Sequence, residues 1–275
     1  MFDEIMIEKN NEKIHLCEWH ADDTVAALCL VHGIGEHAGR YDRIGEHFKK
    51  RSISMIGFDL RGHGFSSGKR GHASPRSLLF SDIENILDIL KQKYPDCPLY
   101  LYGHSMGGNI VLDFMKNGKS RNGITGCIVT APWLVLVRKI SAPVVFLFRI
   151  IAAVKPDFTI NTGLQAKDIS KVDDEVNKYM HDPLIHHFIS AGTAIDGINA
   201  SQALLSAEHG SGKAMLLMHG SQDRICSIEG SRKLSGIENP SCDYVEWDGL
   251  YHEIHNEKNG AQVLDTIVGW IKKTY

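Results

Sequence analysis

A serine flanked by glycines, Ser105 in the segment Gly103–Gly107 (GHSMG), is the residue of this 275-residue chain most clearly placed for chemistry. An apolar run precedes the segment and a helix-like segment follows it. In such a strand–turn–helix setting the serine adopts a strained conformation that exposes its hydroxyl, and the first helical amides favour a developing negative charge. A chance match in a glycine-containing loop is the alternative, but the flanking elements favour a nucleophilic serine.

A serine hydroxyl becomes an effective nucleophile when a base takes its proton and a carboxylate orients that base. In this setting the partners follow in the order serine, acid, histidine, each in a loop after a late strand. Asp223 follows the apolar run that ends at His219, and His252 follows the run that ends at Trp247. We therefore predict Asp223 as the orienting acid and His252 as the general base.

Two nearby residues are rivals for these roles. His255 is only three residues beyond His252, and we expect it to lie where the loop ends. Asp248 precedes His252 by four residues, and we expect it to cap the turn rather than orient the base. Asp223 and His252 stay the preferred pair.

Acyl transfer also requires N–H donors for the negatively charged oxygen, one after the nucleophile and one from an early strand-to-helix loop. Met106 supplies the first donor. His32–Gly35 (HGIG) follows the first buried apolar run, and its glycines allow a close approach of the backbone, so we predict Ile34 N–H as the second donor. An ordinary glycine turn is the alternative for this segment. This chemistry needs no cofactor and no metal.

Short apolar runs alternate with longer amphipathic segments along the chain, which is the rhythm of βαβ units around a parallel sheet. The predicted strands are Ala26–His32, Ser54–Asp59, Leu99–Gly103, Ile124–Thr130, Ala214–His219 and Asp243–Trp247. The predicted helices are Ser77–Tyr94, Gly108–Met115 and Gly260–Lys273. We therefore predict an α/β fold with a mostly parallel central sheet and helices on both faces.

The strand rhythm stops in the middle of the chain, so we predict a helical cap without strands at 132–206, inserted between core parts at 1–131 and 207–275. Within the cap, Val144–Val154 is strongly apolar and is flanked and interrupted by cations. Such a helix can lie at a lipid interface or pack over the pocket of the core, and the sequence leaves both open. Either arrangement places an apolar funnel above the serine.

Composition limits the function classes. The 30 basic and 33 acidic residues give a formal charge of −3, which offers no basic field for nucleic acid. The six cysteines lack metal-ligand spacing, and we expect three cap histidines on a solvated surface, namely His181, His186 and His187. The segment 1–10 lacks the apolar core of a secretory signal, and the apolar run Ile140–Phe148 is far shorter than the ~20 residues that span a bilayer. We therefore expect a cytoplasmic protein, with peripheral membrane contact through the cap left open.

Four blocks are together far more specific than the serine motif: HGIGEHAGRY (His32–Tyr41), FDLRGHGFSSGKRG (Phe58–Gly71), YGHSMGGN (Tyr102–Asn109), and the pair HGSQDR with GLYHEIHNE. With these blocks the chain resembles the monoacylglycerol lipase and lysophospholipase branch of the α/β-hydrolases. The likeness extends through both core parts and thins in the cap. The resemblance implies the α/β-hydrolase fold with an inserted cap.

The resemblance also implies that Ser105, Asp223 and His252 form a catalytic triad. It implies that the backbone amides of Ile34 and Met106 bind the oxyanion. Ile34 stands where relatives often have a smaller residue, so we expect a narrower acyl channel.

Further substrate contacts are implied by the same resemblance. Glu36 and Arg40 are expected to organise the loop beside the oxyanion site. Tyr179 lies in a segment similar to the family's YxxDPL and is expected to meet the alcohol portion of the substrate. His255 falls where the family has a second histidine near the leaving group, and we add His104 from the serine motif to the expected contacts.

The resemblance and the apolar cap together indicate a small lipid ester as substrate, preferably a monoacylglycerol, cleaved through an acyl-enzyme on Ser105. A lysophospholipase or a general carboxylesterase is the alternative, and it differs in the alcohol that the pocket accepts. A non-catalytic lipid-binding protein would keep the fold but lose a member of the triad. All three predicted members are present, which favours an enzyme.

Overall fold

A central sheet forms the core of the computed structural model, which describes residues 2–9 and 12–274. Within these residues the strands are β1 (Asp3–Lys9), β2 (Glu12–Trp19), β3 (Ala26–Val31), β4 (Ile53–Phe58), β5 (Leu99–His104), β6 (Gly126–Thr130), β7 (Thr159–Asn161), β8 (Phe188–Ser190), β9 (Ala214–Gly220) and β10 (Cys242–Trp247). Eight of them form one sheet in the order β1-β2-β4-β3-β5-β6-β9-β10. Only β2 pairs antiparallel with its neighbours, β1 and β4, so the predicted mostly parallel sheet is confirmed.

Helices cover both faces of this sheet. They are α1 (Asp42–Lys49), α2 (Arg76–Lys93), α3 (Met106–Asn117), α4 (Ala142–Val154), α5 (Asp173–His181), α6 (Ala191–Leu205), α7 (Ile228–Glu238) and α8 (Gly260–Thr274). Ile83 of α2 and Ile110 of α3 belong to the core on one face, and Phe48 of α1 and Ile267 of α8 belong to the core on the other. Successive residues of β3 alternate between the two cores, so the whole strand is buried.

Two features depart from the sequence-based expectations. The hairpin of β1 and β2 was not predicted, because β1 (DEIMIEK) lies at an edge of the sheet and carries charges between its apolar residues. The expectation that segment 132–206 lacks strands is wrong, since β7 and β8 pair antiparallel within it. Each of these strands has only three residues, too few for an alternation of apolar and polar residues to be detected in the sequence.

The segment between β6 and β9 packs on the core through α6, which lies against α3, and α4 in turn packs against α6. Asn109 of α3 anchors the segment, because its side-chain amide donates to the Trp133 carbonyl and to the Ser201 hydroxyl, each at 2.9 Å. By contrast, no residue of α4 is fully buried. No helix within the described residues is long and apolar enough to cross a membrane.

Candidate active site

Ser105 occupies the single position between β5, which ends at His104, and α3, which begins at Met106. Its backbone has φ 55° and ψ −117°, a conformation that is costly for a residue with a side chain. Gly107 permits this turn, because a Cβ at that position would lie 2.0 Å from the carbonyl oxygen of Val31. The serine motif therefore forms the strained turn that the sequence predicted.

Asp223 and His252 lie at the same edge of the sheet, because they follow the adjacent parallel strands β9 and β10. The Nδ1 of His252 donates to Asp223 Oδ2 over 2.7 Å, and Asp223 Oδ1 accepts the backbone N–H groups of Ile225 and Cys226. An ionised carboxylate only accepts, so the remaining nitrogen of a neutral His252, Nε2, is free to take a proton. His252 and Ser105 line one small cavity. The structure thus joins Asp223 to His252 by a hydrogen bond and places Ser105 on the same small cavity as His252, and the catalytic role of the three residues stays a prediction.

A second histidine, His219 on β9, also contacts the acid and was missed in the sequence analysis. Its Nε2 donates to Asp223 Oδ2 over 3.0 Å, while its Nδ1 lies 2.7 Å from the hydroxyl of Ser231. Burial alone would raise the pKa of Asp223, but the charge of His252 and hydrogen bonds from both histidines hold this pKa well below its usual range. Asp223 is therefore ionised at neutral pH. The available signal was a histidine at the end of a strand, four residues before the acid.

The electrostatic surroundings favour the protonated form of His252. Burial would lower its pKa, but the charge and hydrogen bond of Asp223, followed by the charges of Glu253 and Glu36, raise the pKa above its ordinary value. The surroundings therefore stabilise the imidazolium that forms when the base takes a proton.

The rings of His104 and His255 pack behind the base in tilted and edge-on arrangements. The ring centroids lie 4.7 Å apart for His104 and His252, and 5.0 Å apart for His104 and His255. Burial lowers the pKa of His104 well below its ordinary value and lowers the pKa of His255 to about 4. Within the described residues, His255 Nδ1 is buried without a hydrogen-bond partner, and Asp223 orients His252 instead. The geometry thus favours His252 over its rival.

The loop that contains Ile34 is held by charged side chains. Gly33 N–H donates to Glu36 Oε1 over 2.6 Å, and Arg40 Nη1 donates to Glu36 Oε2 over 2.6 Å. The amide of Met106 lies in the first turn of α3, where helix geometry leaves N–H groups without an intrahelical acceptor. Both amides predicted to bind the oxyanion therefore belong to segments beside Ser105.

Arg40 also contacts two elements outside its own loop. It forms a two-pronged ion pair with Glu253, with N–O distances of 2.8 and 2.9 Å, and its guanidinium carbon lies 4.9 Å from the ring centre of Tyr179 in α5. Four of the predicted substrate contacts line the small cavity, namely Glu36, Arg40, His104 and Tyr179. The fifth, His255, is not among the lining residues and lies behind His104, with its ring 5.4 Å from that of Tyr41.

Two cavities of different character meet at Ser105. The larger, of about 300 Å³, is lined almost entirely by apolar side chains, among them Trp133, Val145, Phe148 and Ala194. The smaller, of about 20 Å³, is the one lined by charged and polar side chains. Both are lined by Ser105 and by a set of apolar residues between them: Ile34, Leu164 and Ile225.

One of the cap histidines is placed differently from the expectation. His186 is buried, its backbone N–H donates to the Gly35 carbonyl over 2.9 Å, and its Nε2 donates to the Gly62 carbonyl over 3.1 Å. The expected solvated position is therefore wrong for His186, because it joins the cap to two core loops, whereas His181 and His187 are exposed. In the described part of the chain, no three His, Cys, Asp or Glu side chains are grouped to hold a metal.

A serine on a strained turn after a central parallel strand, with an acid and a histidine after the next strands of the sheet, defines a serine hydrolase of the α/β-hydrolase fold. The family model described as serine aminopeptidase, S33 matches residues 22–259. The chain belongs to this family, within its monoacylglycerol lipase branch.

Individual relatives agree with this assignment. The chain is 30% identical to a monoacylglycerol lipase of Mycolicibacterium smegmatis, over 92% of this chain and 90% of that protein. A crystal structure of a monoacylglycerol lipase from Paleococcus ferrophilus superposes with a TM-score of 0.87 at 28% identity, covering 95% of this chain and 99% of the other. An uncharacterized abhydrolase domain-containing protein of Dictyostelium discoideum is 31% identical over 98% of this chain, which spans only 28% of that longer protein.

Proposed function

We propose that the chain hydrolyses monoacylglycerols to a fatty acid and glycerol. The observation that carries this proposal is the meeting of an apolar cavity of about 300 Å³ and a small polar cavity at Ser105. The first suits a fatty acyl chain and the second suits a polar alcohol. The names of the lipases that the chain resembles support the same substrate.

The reaction follows from the positions of the groups. Ser105 attacks the ester carbonyl while His252 Nε2 takes its proton, and the amides of Ile34 and Met106 stabilise the oxyanion. His252 then donates the proton to the departing alcohol. Water hydrolyses the acyl-enzyme by the reverse sequence, with His252 again as base. Asp223 holds the required tautomer of His252 throughout.

The lining of the apolar cavity argues against the peptidase activity in the family's description. An aminopeptidase substrate carries its free amino group on the acyl side of the scissile bond, so the acyl site must hold an ammonium group. None of the described residues that line the larger cavity is acidic. Burial of an unpaired ammonium group there would be unfavourable.

Hydrolysis of lysophospholipids is the second candidate, and the small cavity disfavours it. The cavity of about 20 Å³ leaves less room for a phosphate-bearing alcohol than for glycerol. When His252 is neutral, as the reaction requires, the ionic lining has one cation, Arg40, and two carboxylates, Glu36 and Glu253, so a phosphodiester would meet an excess of negative charge.

The cap supports a further part of the proposal, transient contact with a lipid surface. The side chains of Phe146, Leu147 and Val154 in α4 are exposed, at 66%, 53% and 84%. Val145 and Phe148 of the same helix line the apolar cavity. The helix therefore combines an outer apolar surface with a wall of the substrate site, as expected of a helix that rests on lipid and delivers it.

A substrate panel tests the proposal. Monoacylglycerols should be turned over faster than lysophospholipids and short aryl esters, and faster turnover of a lysophospholipid would overturn the choice. Covalent labelling by a fluorophosphonate should occur in the wild type and be absent in Ser105→Ala. Ser66→Ala, a serine of the loop after β4, is the matched control and should still be labelled.

A further inference from the structure

Glu253, the residue after the base, connects the loop that contains His252 to the loop that contains Ile34. The proposed reaction requires these two loops to keep a fixed position relative to each other. We propose that Glu253 is a positioning residue, which through Arg40 and Glu36 fixes the oxyanion loop relative to His252. The inference rests on the proposed function of the same site. It concerns a side chain that neither touches the substrate carbonyl nor belongs to the triad.

An unbroken series of hydrogen bonds links Glu253 to the loop that contains Ile34. Both oxygens of Glu253 accept from the Arg40 guanidinium, at 2.8 and 2.9 Å, and Arg40 donates to Glu36 at 2.6 Å. The other oxygen of Glu36 accepts Gly33 N–H, directly before Ile34. One chain of charged hydrogen bonds therefore runs from the residue after the base to the residue before the oxyanion donor. Charge-assisted and forked bonds of this kind are strong and directional.

The carboxylate and the backbone N–H of Glu253 are both engaged in hydrogen bonds. Glu253 is buried, and Asn256 Nδ2 donates to its Oε2 over 2.8 Å. Its backbone N–H donates to the Ile169 carbonyl of the inserted segment over 2.8 Å. A buried ion pair is expensive to desolvate and is often no more stable than apolar side chains of the same volume. Its position between two catalytic loops therefore indicates a role in positioning rather than in stability alone.

The hydrogen-bonded group of Glu253, Arg40 and Glu36 also affects the electrostatics of His252. Two carboxylates and one guanidinium leave one net negative charge beside His252, in addition to Asp223. The other ring close to the base, His104, is neutral because burial lowers its pKa. Removing the charge of Glu253 should therefore destabilise the imidazolium and lower the pKa of His252.

The test is Glu253→Gln, assayed with a short aryl ester so that the result does not depend on lipid preference. We expect kcat to fall about ten- to hundredfold with a smaller change in KM, since a misplaced catalytic group costs this much. The acidic limb of kcat/KM should move to lower pH. Glu246→Gln is the matched control, because Glu246 forms an equivalent fork with Arg232 on the exposed side of β10 and makes the same change of charge.

The outcomes separate the two proposals. A wild type that hydrolyses neither the aryl ester nor monoacylglycerol refutes the proposed function before any variant is made. An active wild type, with a Glu253→Gln variant whose kcat and acidic limb match those of Glu246→Gln, refutes the role of Glu253. If Glu253→Gln does not fold, Glu253→Asp decides. It keeps the charge but shortens the reach, so a lowered kcat with an unmoved limb supports the role and unchanged kinetics refute it.

Discussion

Filling the apolar cavity should change which acyl chains the enzyme accepts. Ala194 of α6 is buried and lines this cavity, so the phenyl ring of Ala194→Phe would enter it. An apolar cavity of about 150 Å³ holds a benzene ring, so the new ring takes about half of the 300 Å³. The remaining half accommodates about six carbons, judged by the same comparison.

The expected magnitude follows from the carbons displaced. Each buried methylene is worth about 0.8 kcal/mol, or about fourfold in kcat/KM. In the wild type, kcat/KM should rise from acetate through butyrate and octanoate to laurate esters. In Ala194→Phe the rise should stop near the middle of the series. Displacement of about six carbons at about fourfold each should lower the preference for laurate over butyrate by about 10³- to 10⁴-fold.

The assay is steady-state hydrolysis of p-nitrophenyl esters by both proteins. Ala203→Phe is the control, since Ala203 lies on the exposed side of the same helix and does not line the cavity. Butyrate turnover within a few-fold of wild type shows that the variant is folded. An unchanged laurate preference in Ala194→Phe would place the acyl chain elsewhere and refute the assignment of this cavity.

Three further predictions test the site and the cap. Asp223→Asn should reduce kcat by about 10⁴-fold with little change in KM, because Asp223 no longer fixes the tautomer of His252 or balances the charge of its imidazolium. Steady-state kinetics measure this loss, and a loss under tenfold would contradict the assignment of Asp223. In the wild type, kcat/KM should fall as the pH drops through the raised pKa of His252, so a pH–rate profile should place the acidic limb above 6.5, and a limb well below that value would contradict the electrostatics. Phe146→Ser should weaken cosedimentation with lipid vesicles about tenfold, whereas Met6→Ser, at a similarly exposed position on β1, should not; equal effects would argue against contact through the cap.

The predicted strands lie close to the observed ones for a physical reason. β3, β4, β5, β6 and β9 are covered by helices on both faces, and such strands appear in sequence as short uninterrupted apolar runs. The hairpin of β1 and β2 lacks this signal because β1 is an edge strand with one exposed face. Within the inserted segment, β7 and β8 pair only with each other and were missed.

The residues of the predicted triad could be placed together from sequence because each lies within five residues of the end of a strand of the parallel sheet. Once the sheet is predicted, the carboxyl ends of β5, β9 and β10 must share an edge, and so must Ser105, Asp223 and His252. No contact between side chains had to be known in advance.

His219 and Glu253, which lie next to the predicted triad, could not be assigned a role from the positions of the strands. His219 lies on β9 and looks like any histidine within a buried strand until the fold turns Asp223 back towards it. Glu253 forms an ion pair with Arg40, which is 213 positions away in the chain, and no local spacing in the sequence predicts this pair. A carboxylate directly after a predicted base is nevertheless a usable signal, since its charge must act on that base wherever its own partner lies. Supporting residues of this site are thus best sought first beside the catalytic residues in sequence and then across the fold.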